Sequence, residues 1–221
     1  MKRSILVLFA LVIVANLAFS GDDSIPKSKS GDKAVLFTLA GFDDFGATSY
    51  MGGLGGKYYI SDGNAIRASL GFFTSSTTTK PPLGSPAGTP DEVASSSTFI
   101  ITPGFLHGIN QTGPVIAYIG GEFIYATTST TVENPGNVAN TKDHTSSTAF
   151  GVAGIFGVEW FAWNNISLGA EYLLAYTSTS GSTETTAGGT TTTVDDPTTT
   201  AFSLGGTSLV PGVSFTLAVF W

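Results

Sequence analysis

Val213-Ser-Phe-Thr-Leu-Ala-Val-Phe-Trp221 is the stretch whose reading decides the fold. Val213, Phe215, Leu217, Val219 and Trp221 form one apolar face. Ser214, Thr216 and Ala218 lie between them, and Phe220 alone breaks the contrast. Strict alternation at period two belongs to a strand whose two faces meet different surroundings. A strand needs partners, and the rest of the chain supplies them.

Seven further segments repeat the theme, each roughly ten residues of alternating character followed by a turn or loop. The first, 34–42, carries Val35, Phe37 and Leu39 on one face. In 50–61, Leu54, Tyr58 and Ile60 share a face, and 65–74 aligns Ile66, Ala68, Leu70 and Phe72. Segment 97–109 aligns Phe99, Ile101 and Phe105, with Pro103 on the same face as an expected bulge or weak spot in the ladder. Segment 115–127 aligns Ile119, Phe123 and Tyr125; 148–163 aligns Val152, Phe156, Val158 and Trp160. The seventh, 166–177, runs Ile166, Leu168, Ala170, Tyr172, Leu174 and Tyr176. The last segment slips phase between Leu204 and Leu209, which places a second bulge at Gly205-Gly206.

Connections alternate in length. Tight turns are expected at 62–64, 110–114 and 164–165, where Gly and Asn tolerate positive φ. Polar loops are expected at 43–49, 75–96, 129–145 and 178–199, rich in Thr, Ser, Gly and Pro. An even strand count puts both ends of the folded part on the short-turn side. The pattern predicts an all-β fold, an eight-stranded antiparallel up-and-down barrel over 34–221 whose apolar faces meet lipid.

Composition agrees. Of 221 residues, 11% are charged and 42% hydrophobic, and 28 are glycine. Few charges suit a wall in lipid, where an outward charge is costly. Cysteine is absent, which removes disulfides and thiolate metal sites. Residues 1–20 read as a signal peptide: Lys2 and Arg3 lead an apolar core from Ile5 to Ala15, closed by Ala18-Phe19-Ser20. Without those two cations, 7 basic residues face 16 acidic ones, a net charge of −9. Nucleic acid needs a basic footprint and is excluded as a partner. Residues 21–33 read as a flexible polar tail.

Five charges fall within the segments, and all lie opposite the large apolar residues: Lys57, Arg67, Glu122, Glu159 and Glu171. An eight-stranded barrel is filled by side chains or one small ligand, and an unpaired buried charge is expensive. A salt-bridge network plugging the lumen is therefore expected, with a gated polar channel as the alternative. No catalytic, cofactor or metal site is expected. His107 has no Ser or Asp beside it. His144-Thr145-Ser146 resembles the His-x-Ser of barrel lipid A deacylases, but it is placed in a loop and is read as chance in a Ser/Thr-rich stretch. Asp43-Asp44 and Asp195-Asp196 read as solvated turns. Gly52-Gly53-Leu54-Gly55-Gly56 leads into a strand, so no phosphate-binding context exists.

Together, the alternating segments and the terminal Phe220-Trp221 strand resemble the small eight-stranded outer-membrane barrels of the OmpA/OmpX-like superfamily. The resemblance implies an integral outer-membrane location with periplasmic termini. It also implies that Val213, Phe215, Leu217, Val219 and Trp221 are read by the outer-membrane assembly machinery. Tyr58, Trp160, Trp163 and Trp221 would form the periplasmic aromatic girdle. Such barrels are structural, adhesive or serum-interacting. The expected protein is a non-enzymatic, porin-like but plugged monomer displaying polar loops, in contact with membrane lipid, lipopolysaccharide and an unidentified host or cell-surface ligand. A small pore, or less strongly a lipid A-modifying enzyme, is the alternative.

Overall fold

Nine antiparallel strands appear in a computed structural model that describes residues 28–40, 51–204 and 213–221. They are β1 (Lys33–Ala40), β2 (Met51–Ser61), β3 (Asn64–Thr79), β4 (Glu92–Thr112), β5 (Val115–Glu133), β6 (Thr141–Trp163), β7 (Ile166–Ala187), β8 (Thr190–Leu204) and β9 (Val213–Phe220). Each of β1 to β7 pairs with its sequence neighbour. β7 also pairs with β9 and β9 with β1, so the hydrogen bonds close a ring in the order β1-β2-β3-β4-β5-β6-β7-β9. β8 continues the eighth position upward, along Leu174–Ala187 of β7, above the part of β7 that β9 covers. The signal peptide, residues 21–27 of the tail, Asp43-Asp44 and the bulge expected at Gly205-Gly206 lie outside the described residues.

The strands on either side of that last gap still measure the irregularity. Tyr176 faces Phe202 and Tyr172 faces Val213, so four steps along β7 are matched by eleven along the final stretch. Pro103 makes no bulge. It pairs in register with Ala68, and on its other side the β4–β5 register is the same before and after it, at Ile101↔Tyr125 and Gly104↔Glu122. Proline lacks a donor, so the ladder skips a rung without slipping. Register shifts fall instead at Tyr59/Ser61, Gly108/Asn110 and Phe161/Trp163, all beside short turns, and at Thr179/Gly181.

The expected long loops are mostly wall. β3 runs to Thr79 and β4 begins at Glu92, leaving 80–91 as connection; between β5 and β6 only 134–140 remains. The stretch 178–199 is a hairpin that turns at Gly188-Gly189, whose φ values of +56° and +82° suit a two-residue turn. Ser/Thr runs read as loop because they are polar, but threonine is β-branched and favours strand. Cross-strand hydroxyl pairs then tie the wall together: Ser96 with Thr130 at 3.2 Å, Thr98 with Thr128 at 3.1 Å, and Thr145 with Thr183 at 3.2 Å.

The short turns gather at one end of the sheet. Asp62-Gly63, Gly113-Pro114 and Asn164-Asn165 all turn there, and the Trp221 amide donates to the Lys33 carbonyl at 3.2 Å. The described part of the tail is not free. The Gly31 amide donates to the Tyr59 carbonyl at 2.8 Å, the Tyr59 amide to the Asp32 carbonyl at 2.9 Å, and the Gly63 amide to the Ser28 carbonyl at 2.8 Å. Ser30 donates its amide to Asp62 Oδ1 at 3.0 Å. These bonds extend the β1–β2 ladder past Lys33 and strap 28–32 to the β2–β3 turn.

Candidate functional site

The ring separates two chemistries by the period-two rule. Outward, Leu54, Ile66, Leu70, Phe72, Phe105, Phe123, Phe156 and Trp160 are each 44–69% exposed. Inward, Lys57, Arg67, Glu122, Glu159 and Glu171 are buried, with no side chain more than 8% exposed. Charges inside and large apolar groups outside invert the arrangement of a water-soluble protein.

The geometry of the interior follows from ring order. Lys57 on β2 and Arg67 on β3 are direct cross-strand neighbours, a repulsive pairing by itself. Each is answered from the far wall. β6 stands four places from β2, and β7 four places from β3, half-way round a ring of eight. Lys57 Nζ donates to both oxygens of Glu159 at 2.6 and 2.7 Å, and Arg67 donates to Glu171 at 2.5 Å. A second arm of Arg67 reaches Glu122 on β5 at 2.9 Å. Lys57–Glu159 and Arg67–Glu171 thus each link strands half-way round the ring.

Three hydroxyls complete the network, those of Tyr118 and Ser167 without any expectation from the sequence. Ser167 donates to Glu159 at 2.5 Å, Tyr59 to Glu159 at 3.3 Å, and Tyr118 to Glu171 at 2.7 Å. Tyr118 shares parity with Glu122, and Ser167 lies on the same face of β7 as Glu171; that spacing was the available signal. Two glycines make room. Gly104 stands in register between Arg67 and Glu122, and a Cβ there would lie 2.9 Å from that of Glu122. Gly157 stands between Tyr118 and Glu171, and its Cβ would run into the Tyr118 ring. In both cases the bare backbone lets a long side chain cross a whole strand to its partner.

Apolar layers enclose the charges. One cluster takes in Leu36, Leu106, Ile116, Ile155, Phe161 and Phe220 around the charges. Farther from the short turns, Ile124, Ala153, Leu173 and Ala175 are followed by Ile100, Ala126, Ala149 and Phe73. Phe220, the residue that breaks the alternation of the last strand, is 1% exposed and packs 5.4 Å from the Phe161 ring. Lys57 Nζ sits 5.2 Å from the Phe220 ring and 5.4 Å from that of Tyr59.

The remaining expected positions sort as follows. Tyr58, Trp160, Trp163 and Trp221 all face outward at the short-turn end, 41–63% exposed. On β9, Phe215 is outward and exposed, but Val219 and its cross-strand neighbour Ile166 are buried although they share that face. His107 bonds to Asn64 Oδ1 at 2.7 Å. His144-Thr145-Ser146 lies in β6, not in a loop, with His144 and Ser146 both outward. His144 Nδ1 meets the Thr131 hydroxyl at 3.0 Å, and Ser146 Oγ meets Ser182 Oγ at 3.5 Å, so the two are engaged elsewhere and not with one another. Glu184 faces His144 in register. Asp195-Asp196 lies in β8, where Asp196 accepts from Thr183 at 3.4 Å. Gly52-Gly53-Leu54-Gly55-Gly56 lies in β2. No group of three metal-ligating side chains occurs among the described residues.

A scan against protein-family models finds no match to this chain, and a search of curated proteins finds none either. Among solved structures, the NMR solution structure of the E. coli outer membrane protein W is similar to it, with 13% identity and a TM-score of 0.43 over 87% of this chain and 99% of that one.

Proposed function

We propose that this chain is a non-enzymatic outer-membrane β-barrel whose lumen is sealed, and whose wall continues beyond the bilayer as a hydroxyl-rich surface. The observation that carries the reading is the band of exposed apolar residues on the outward face of a ring whose interior holds the charges. On β6 the outward residues from Phe150 to Trp160 span ten steps of about 3.3 Å, which at a tilt of roughly 40° gives a band about 25 Å tall. That is the height of the lipid-facing band of outer-membrane barrels. Tyr125 and Phe150, 5.1 Å apart, and Tyr176 mark its upper edge, and the tryptophans its lower edge. In this reading the termini are periplasmic, and the outward residues of β9 are what the assembly machinery reads.

The seal is favoured over the pore by the diametric pairs Lys57–Glu159 and Arg67–Glu171, stacked between apolar layers that offer water few partners. Beyond the bilayer, the wall of β3 to β8 presents serine and threonine, a surface for structural display and for contact with lipopolysaccharide or neighbouring cells. The protein acts as a monomer, because a closed ring leaves no unpaired strand edge at the level of the band.

Two measurements test the reading. The membrane-extracted protein is expected to migrate differently on a gel before and after boiling, and ready solubility without detergent refutes the barrel. In a planar bilayer it is expected to pass no steady current. A steady conductance that Glu122→Gln or Glu159→Gln abolishes refutes the seal and establishes the pore.

A further inference from the structure

Above the apolar band the outward face of the wall changes its chemistry over one region. Phe72 and Phe99 are cross-strand neighbours at the upper edge, 69% and 38% exposed. The next outward residues on β3, β4 and β5 are set side by side by register, Thr74↔Ser97↔Ser129 and then Ser76↔Ser95↔Thr131. These six line a concavity of about 630 Å³ together with Ser75 and Ser96. Ser95 donates to the Thr131 carbonyl, and the Thr131 hydroxyl is held by His144. The hydroxyls of Thr74, Ser76, Ser97 and Ser129 have no protein partner among the described residues.

The lining excludes several ligands. No lysine or arginine is present to hold a phosphate or carboxylate. No apolar side chain is present to anchor a peptide. Uncharged hydroxyls, each able to donate and to accept, match a neutral saccharide, which offers the same groups in return. The volume lies in the range of small-ligand sites. Directly below, Leu70, Phe72, Phe99 and Ile101 present a continuous apolar surface. The combined surface has two parts, as an amphiphile does.

We propose that this groove seats the neutral sugar head group of an outer-leaflet glycolipid, whose acyl chains lie against Leu70, Phe72, Phe99 and Ile101. The inference rests on the membrane reading above, which puts Phe72 and Phe99 at the boundary between acyl chains and head groups. It narrows the general expectation of lipid contact to one face of the barrel and one class of lipid.

The test uses the full chain in vesicles of phosphatidylethanolamine and phosphatidylglycerol doped with digalactosyldiacylglycerol. After mild extraction, native mass spectrometry reads which lipids stay bound. Retention of the glycolipid over phosphatidylethanolamine is expected by roughly three- to tenfold, the size of one or two net hydrogen bonds. Ser97→Lys with Ser129→Glu fills the groove with a cross-strand ion pair and is expected to abolish the preference while the heat-modifiable band persists. Equal retention of the two lipids by folded, vesicle-bound protein refutes the groove and leaves the barrel standing, as does an unchanged preference in the variant. Protein that fails to float with the vesicles refutes both. Equally strong binding of free digalactose without lipid assigns the groove to a soluble sugar and overturns the lipid assignment.

Discussion

Replacing Lys57 by methionine removes the cation that answers Glu159 and leaves every other member of the network in place. Glu159, 5% exposed in its side chain, would then keep only the Ser167 and Tyr59 hydroxyls as donors. The network already holds three carboxylates against two cations; the substitution leaves three against Arg67 alone. Breaking a buried pair by deleting one partner costs about 3–5 kcal/mol, because an uncompensated charge stays behind. The lower part of that range is expected here, since two hydroxyl donors remain. At about 3 kcal/mol the unfolding equilibrium shifts by a factor of roughly 150, readable from urea titration in vesicles. Glu159→Gln alone is also expected to destabilise, because Lys57 loses its partner. The double variant is expected to be more stable than the Lys57→Met single variant, since the neutral amide no longer needs a cation. Additivity of the two single effects to within about 0.5 kcal/mol would mean no coupling and would refute a dry, paired lumen.

Other expectations follow from the same geometry. Gly157→Ala forces the Tyr118 ring off its path to Glu171 and is expected to cost about 1–3 kcal/mol, shrinking in a Tyr118→Leu background; an equal cost in both backgrounds disproves the spacer role. Phe220→Ala empties the space beside Phe161 and is expected to cost about 3–5 kcal/mol, whereas an outward residue of the same size, Phe215, should tolerate leucine with little change. Protease added to intact cells is expected to cut within 80–91 or 134–140 and to spare 141–147 and 178–187; rapid cleavage inside the latter two would restore the loop reading. Mass spectrometry of lipid A is expected to give the same spectrum from cells expressing the parent chain or Ser146→Ala. A change seen only with the parent would make His144, Ser146 and Glu184 an enzyme site.

Period two says which face a side chain takes, and on that question the sequence was legible. The five charges and the outward aromatics fall on the faces that alternation assigns them. It is not legible where a polar run could be either loop or wall. Runs such as Thr190-Thr-Thr-Thr193 look like loop by composition, yet their β-branched side chains extend the wall and bond across it. Tyr118 and Ser167 share parity with the buried carboxylates but carry no charge, and Phe220 breaks the alternation of the last strand because it serves the interior and not the outward face.

The amino-acid sequence alone determines which face each side chain of a strand takes and the segregation of charge from large apolar groups, because these are local properties of a pleated chain. It does not determine which charge meets which. Lys57 and Glu159 are 102 positions apart, and only the closure of β9 onto β1 sets β2 opposite β6 and β3 opposite β7. Closure also decides that Gly104 and Gly157 sit between partners, and that Phe220 turns inward onto Phe161 and under Lys57. A ring of eight brings opposite walls within reach of long side chains, so the paired network is a property of the ring and of no strand in it.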